Sequence, residues 1–104
     1  MWRHSMNLLA VQPYIKVIRE VTSIEQTDIE EERNMYLYDD KLVTKHRQFP
    51  LKEVFDISYR EFGQKGSGLL YVHTIKGVFS YTVKTSTDDF INAFHKHIKQ
   101  NKGD

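Results

Sequence analysis

The sequence contains no cysteine, and it has only two prolines and five glycines among 104 residues. Without thiols, disulfide frameworks, thiolate zinc sites and cysteine nucleophiles are all excluded. No run of apolar residues approaches the roughly 20 residues that a membrane-spanning helix needs. The charge excess is also small, because 15 Lys and Arg face 14 Asp and Glu. Dedicated nucleic-acid binders usually carry a larger basic excess, so the net charge does not favour that class.

The composition that remains is typical of one globular domain. Hydrophobic residues make up 39% and aromatic residues 12%, which is enough for a modest core. We expect a flexible N-terminal segment at 1–12 and a single domain at 13–102. The apolar pair Leu8 and Leu9 is too short for the roughly 7–15 apolar residues of an export signal. A cytoplasmic location is therefore expected.

The charges are segregated along the chain. Residues 20–32 contain six acids and no base, whereas residues 41–52 contain four bases and no acid. Two interpretations stay open. The runs are either solvated faces, or poles of opposite sign that serve a partner or self-association.

A period of two in apolar and β-branched residues predicts strands in six segments. They are 14–21, 34–39, 42–47, 53–62, 69–74 and 78–84. Residues 22–33 are predicted to form a polar connection with a helical turn around 28–33. Val54 and Ile57 are three apart, so they share a face only if their strand contains a bulge. Pro50 indicates a strand edge, a kink or a gap between strands.

The pattern changes to a helical period near the C-terminus. Phe90, Ile91, Phe94 and Ile98 fall on one face, and Ser86 or Thr87 can cap the helix, which predicts a helix over 87–101. We expect its apolar face to fill one open end of a barrel or sandwich. The predicted fold is mainly β, with six or seven antiparallel strands followed by this one helix.

Three segments resemble the pleckstrin-homology-like (PH-like) superfold, and in particular the small bacterial PH-like domains. They are the hairpin Met35-Tyr-Leu-Tyr-Asp-Asp-Lys-Leu-Val, the segment Phe49-Pro-Leu-Lys-Glu-Val-Phe-Asp-Ile, and Gly77-Val-Phe-Ser-Tyr-Thr-Val-Lys with the later Asp89-Phe-Ile-Asn-Ala-Phe. The resemblance implies a PH-like barrel capped by a C-terminal helix. It also implies binding of phosphoinositides, peptides or proteins, and it supplies no catalytic motif.

Phosphoinositide-binding relatives hold the lipid with bases from the first strand and the loop after it. Here Lys16 and Arg19 lie in the first predicted strand, but the acids of residues 20–32 follow. We therefore expect no tight phosphoinositide binding. The bases of residues 41–52 compensate only if that segment folds onto the same rim.

No catalytic, cofactor or metal site is predicted. His95 and His97 are two apart on a helix, which separates their rings by about 200°, and zinc-binding helices space their ligands by three or four. The glycine-rich residues 63–68 lack the Gly-Lys-Ser/Thr ending of a phosphate-binding loop. We expect no enzyme activity and no cofactor.

The candidate partner-binding residues combine bases of the 41–52 segment with neighbouring tyrosines. They are Lys41, Lys45, Arg47, Lys52, Tyr36 and Tyr38. The tyrosine rings either stack on a ligand or line the barrel wall. The first hypothesis is a non-catalytic binding module that acts through a protein or peptide partner or as a homo-oligomer. The alternative is single-stranded nucleic-acid binding by residues 41–52 and the strand tyrosines. The small net charge does not favour this alternative.

Overall fold

The computed structural model describes residues 7–21, 26–63 and 67–102, and these residues form seven strands and one α-helix. The strands are β1 Leu8–Val21, β2 Gln26–Tyr38, β3 Lys41–Val43, β4 Gln48–Pro50, β5 Val54–Glu61, β6 Gly68–Thr74 and β7 Gly77–Val83. The helix is α1 Asp88–Lys102. The predicted class, mainly β with antiparallel strands and one C-terminal helix, is confirmed.

All seven strands belong to one antiparallel sheet in the order β4-β3-β2-β1-β7-β6-β5. A single 3₁₀ turn, Leu51–Glu53, joins the two end strands β4 and β5. Three residues span only about 10 Å, so the two ends of the sheet approach each other and the sheet bends around its core. Pro50 lies in the end strand β4, which agrees with the edge position that its missing N–H predicts.

The first hairpin is longer than the sequence predicts. β2 begins at Gln26, so the polar connection and helical turn predicted for residues 22–33 are wrong over the described part. In the register, Lys16 lies opposite Glu31 and Ile18 opposite Ile29. Opposite charges and apolar pairs across strands stabilise a ladder, and this long-range complementarity is invisible to a local pattern.

The N-terminal boundary also differs. β1 begins at Leu8, before the predicted domain start at residue 13, and the side chain of Gln12 is buried. Residues 8–12 pair with β2, so this part of the segment 1–12 belongs to the sheet. The remaining part of that prediction, residues 1–6, lies outside the described residues.

The second half of the sheet follows the predicted pattern closely. A register shift between Val54 and Asp56 is the predicted bulge, and both Val54 and Ile57 are buried. Leu70 and Val72 point to the core from β6, as their alternation requires. In the first half, β3 ends at Val43 instead of residue 47, because Thr44 and Arg47 close a turn with a hydrogen bond from Thr44 N to Arg47 O of 2.9 Å.

The helix forms part of the core. Phe90 and Phe94 are 2% and 1% exposed, and Ile91 and Ile98 pack against the same buried cluster. α1 lies against β1 and β5. Asp88 N, at the first residue of the helix, donates to Ser86 Oγ at 3.3 Å, so the Ser86 side chain satisfies one of the N–H groups that have no partner within the helix.

Candidate functional site

The sheet opens where β1 leaves β7. The two strands share one register pair, Ile15 opposite Thr82, and beyond it β1 has no partner on that side among the described residues. β1 and β2 continue together from this point as a two-stranded ribbon, residues 16–21 and 26–31, which we call the arm. The divergence leaves a cleft at the base of the arm.

The ionisable side chains that line this cleft, of about 460 Å³, are mostly basic. Its charged or ionisable lining residues are Lys16, Arg33, His46 and Arg47, and the described lining includes no Asp or Glu. The remaining lining is largely hydroxyl-bearing: Tyr14, Thr44, Ser80, Tyr81 and Thr82. We call it the basic cleft. Lysine and arginine side chains together with hydroxyl donors form a site that suits a carboxylate or phosphate.

A tight turn holds Arg47 at the cleft. Thr44 accepts a hydrogen bond from Arg47 N through its Oγ at 3.2 Å, which fixes residues 44–47 beside β7. The Arg47 guanidinium carbon lies 4.6 Å from the ring centroid of Phe79, within the range of a cation–π contact. The aromatic ring therefore orients the guanidinium without neutralising it.

Two tyrosines form the floor of the basic cleft. The rings of Tyr14 and Tyr81 meet edge to face with centroids 5.1 Å apart. Tyr14 Oη accepts a hydrogen bond from Lys45 N at 3.3 Å. Burial raises the pKa of Tyr81, an effect opposed by a hydrogen bond with Thr44. The Tyr81 hydroxyl stays protonated at neutral pH and can donate a hydrogen bond to an anion.

Arg33 has an acidic neighbour of its own. Its guanidinium binds Glu31 Oε1 at 2.6 and 3.2 Å, and this hydrogen bond lowers the pKa of the Glu31 carboxyl. Lys16 and His46, in contrast, have no hydrogen bond or ion pair within the described part of the chain. The cleft thus combines two restrained guanidinium groups with the side chain of Lys16, which forms no ion pair with a described residue, and with His46, which lies within electrostatic range of Glu31.

The structure divides the predicted partner-binding residues among three places. Tyr36 and Tyr38 lie together on the outer face of β2, with ring centroids 6.4 Å apart, and Lys41 Nζ lies 5.7 Å from the Tyr38 ring. Lys45 lines a hollow beside Tyr36. Arg47 reaches the basic cleft on the other side of the sheet, and Lys52 lies in the 3₁₀ turn next to Phe55 and Ile98.

Sequence reasoning missed most of the cleft. Arg33 and Tyr14 are not among the residues that the sequence singles out for the site. Tyr81 enters only as one of the strand tyrosines, His46 only as part of the 41–52 segment, and Lys16 only for lipid binding. Alternation within β1 and β2 places Lys16 and Arg33 on the core-facing side, where Tyr14 is buried. That signal is readable only once the hairpin register is known.

A second cluster of polar side chains lies on β5, β6 and α1. Ser58 Oγ and His73 Nε2 are 2.9 Å apart, but the Asp56 carboxylate beside them pairs with His95 at 3.0 Å. In the described ranges, no group of three His, Cys, Asp or Glu side chains could hold a metal ion. None of the described helices is long and apolar enough to cross a membrane.

Comparison with known proteins gives no family assignment. No protein-family model matches the chain, and no curated protein matches it.

Proposed function

We propose that the protein is a non-catalytic binding module of PH-like architecture that holds an acidic, extended segment of a protein partner in its basic cleft. One observation carries the proposal: the sheet opens onto a cleft that is lined by Lys16, Arg33, His46 and Arg47 and by none of the described acids. Cations gathered at a concave opening focus an attractive potential on an anionic ligand.

An extended segment fits because β1 offers an open edge. Past Ile15, the backbone of β1 has no strand beside it on the β7 side in the described ranges. Free N–H and C=O groups on a strand edge can accept another strand, whose alternate side chains then enter pockets. A partner strand here would place its acidic side chains near Lys16 and Arg47.

The architecture is part of the same proposal. Seven antiparallel strands in the order β4-β3-β2-β1-β7-β6-β5, followed by a helix packed on the core, support the PH-like resemblance found in the sequence. The bacterial origin and the cytoplasmic location stay predictions.

A fluorescent peptide of alternating Glu and Val tests the proposal by anisotropy. We expect it to bind the full chain in a salt-sensitive manner, and we expect Lys16→Ala with Arg47→Ala to weaken binding by about tenfold or more, because each charge-assisted bond is lost with its donor. Lys76→Ala with Lys96→Ala removes the same charge outside the cleft and is the matched control. Equal weakening by both pairs, or no binding by the wild-type chain, contradicts the proposal.

A second candidate function rests on the outer face of β2. The neighbouring rings of Tyr36 and Tyr38, with Lys41 beside them, are the arrangement that stacks on bases and contacts phosphate in single-stranded nucleic-acid binders. A labelled single-stranded oligonucleotide distinguishes the two functions. Binding that is lost in Tyr36→Ala with Tyr38→Ala but kept in the cleft variant favours nucleic acid over an acidic peptide.

A further inference from the structure

One base of the basic cleft already holds a carboxylate of the same chain. Glu31 Oε1 accepts hydrogen bonds from Arg33 Nη2 at 2.6 Å and from Arg33 Nε at 3.2 Å. Arg33 lines the cleft, and its side chain is only 13% exposed. Glu31 lies outside the lining, and its side chain is 44% exposed. The carboxylate therefore reaches a cleft cation from the more exposed side of the pair.

Further bases surround the Glu31 carboxylate. In the register of β1 and β2, Glu31 lies opposite Lys16, and side chains of directly opposite residues are neighbours on one face of a ladder. The hydrogen bond from Arg33 is the main cause of the lowered pKa of this carboxyl, and the charges of Lys45 and His46 lower it further. Glu31 is thus an anion at neutral pH, and it lies beside the bases that line the cleft.

We propose that Glu31 is a built-in competitor of the partner, whose carboxylate holds the place at Arg33 that an acidic side chain of the partner takes in the complex. In the free chain this contact keeps Arg33 from other anions. On binding, the partner's carboxylate replaces that of Glu31. The inference rests on the proposed function, because it concerns access to the same cleft.

The geometry of the contact allows this replacement. Both hydrogen bonds from Arg33 converge on one oxygen of Glu31, Oε1. The strongest pairs of arginine and carboxylate use two parallel hydrogen bonds to two different oxygens. A carboxylate that enters from the cleft is not tied to the same strand, so it can adopt this stronger arrangement. Glu31 is about half exposed, so water hydrates its carboxylate once it is displaced.

The competitor limits what Arg33 contributes to binding. Exchange of one carboxylate for another at Arg33 gains less than a new contact does, because a charge-assisted bond is lost for each one formed. Net attraction for an acidic segment then comes mainly from Lys16 and Arg47. Removal of the Glu31 charge should therefore strengthen binding, and the gain should depend on Arg33.

Anisotropy of the peptide of alternating Glu and Val with the full chain tests this inference. We expect Glu31→Gln to bind the peptide about tenfold more tightly, because Arg33 becomes available for a charge-assisted bond. Glu31→Ala removes the acceptor as well and should give a similar gain. Glu32→Gln is the matched control, since it removes the same charge from the opposite face of β2. Its affinity should change by less than about twofold, because salt screens a charge outside the cleft.

A second background separates competition from simple repulsion. With Arg33→Gln in place, we expect the gain from Glu31→Gln to shrink from about tenfold to about twofold, because only screened charge repulsion is then relieved. A purely structural role of the ion pair predicts no gain in affinity from either Glu31 variant. Circular dichroism verifies that every variant is folded.

The outcomes distinguish this inference from the proposed function. Equal affinity of the wild-type chain and the Glu31 variants, or an equal gain with and without Arg33, overturns the inference and leaves the proposed function intact. If neither the wild-type chain nor Glu31→Gln binds the peptide, the proposed function is wrong, and the inference is wrong with it.

Discussion

Thr44 illustrates how a single side chain prepares the basic cleft. Its Oγ accepts the Arg47 N–H, and the same hydroxyl acts on Tyr81, whose pKa it lowers against the larger effect of burial. Arg47, which is exposed to solvent, then lies over the Phe79 ring. We expect ligand binding in the cleft to depend on such fixed side-chain orientations. A cation that is already held in place loses less side-chain entropy when a ligand binds.

Tyr81 gives a prediction about pH. Since burial raises its pKa above the usual value of about 10, the folded state favours the neutral phenol. Its contribution to stability is complete below pH 10 or so and is lost as the pH rises through the folded pKa. We expect Tyr81→Phe to flatten the alkaline fall in the free energy of unfolding. A titration of tyrosinate absorbance should lose a late component in this variant, and an unchanged titration would contradict the assignment.

Gly68 gives a prediction about packing. A Cβ at this buried position of β6 would overlap the carbonyl oxygen of Arg60 and the ring of Tyr59. Backbone cannot move aside as a flexible side chain does, so Gly68→Ala should destabilise the fold by about 1–3 kcal/mol. Gly63→Asn is the control, because its neighbourhood is open and Asn tolerates a positive φ of 58°. Denaturant melts with equal midpoints for both variants would refute the overlap.

At the element scale, α1 and the arm differ in how they are stabilised. The helix buries Phe90 and Phe94 in the core, and His97 Nε2 lies 2.7 Å from the Asp39 carbonyl oxygen while His95 pairs with Asp56. The arm has none of this support from the core and exposes Val17, Val21 and Ile29. We expect hydrogen exchange to be slow in the helix and fast in the arm.

The helix gives a prediction about the free energy of unfolding. Phe94 is 1% exposed, so Phe94→Ala removes its contacts and leaves a cavity, at a cost of about 3–5 kcal/mol. Lys96→Ala on the exposed side of the same helix should change the free energy of unfolding by less than about 0.5 kcal/mol. A loss below that value for Phe94→Ala would place the helix outside the core.

At the scale of the whole molecule, the net charge is near zero, but the acidic and basic residues are concentrated in two different regions. Most acids of β2 lie along the arm, whereas the basic side chains of residues 16, 33, 46 and 47 converge on the cleft at its base. Their separation is set by the hairpin, which carries the acidic strand away from the core. We expect such a separation of charge to affect which partners the molecule accepts, because complementary potentials favour one partner over another.

This arrangement bears on phosphoinositide binding. His46 and Arg47 do reach the rim, which is the condition under which the 41–52 bases could compensate for the acids. However, Arg33 is engaged by Glu31, whose lowered pKa keeps it ionised, and the arm acids extend from the same rim. A headgroup with several phosphates needs more free cations than Lys16 and Arg47 supply.

We therefore expect liposomes that contain phosphoinositide to recruit the chain no better than neutral liposomes in co-sedimentation at physiological salt. Glu31→Gln should increase any residual recruitment, because it releases Arg33 and removes a negative charge. Selective recruitment at sub-micromolar concentration that disappears in Lys16→Ala would contradict this prediction.

Local patterns in the sequence were sufficient to predict the elements in the second half of the chain. Alternation located β5 to β7, the spacing of Val54 and Ile57 required the bulge, and the period of Phe90, Phe94 and Ile98 identified the helix. Each of these segments pairs with a chain neighbour or packs through one face, so nearby residues contain the necessary information. The exclusion of thiol chemistry followed from composition alone.

The arm and the cleft, in contrast, depend on contacts between segments that are distant in the sequence. Residues 26–33 carry too many acids to look like a strand, and they are one because β1 supplies Lys16 and Ile18 opposite Glu31 and Ile29. Likewise, Lys16, Arg33 and Arg47 come from three separate segments, and they meet because β1 departs from β7 after Ile15. Cross-strand register and strand divergence are long-range properties of the packed sheet, and no local pattern in the sequence specifies them.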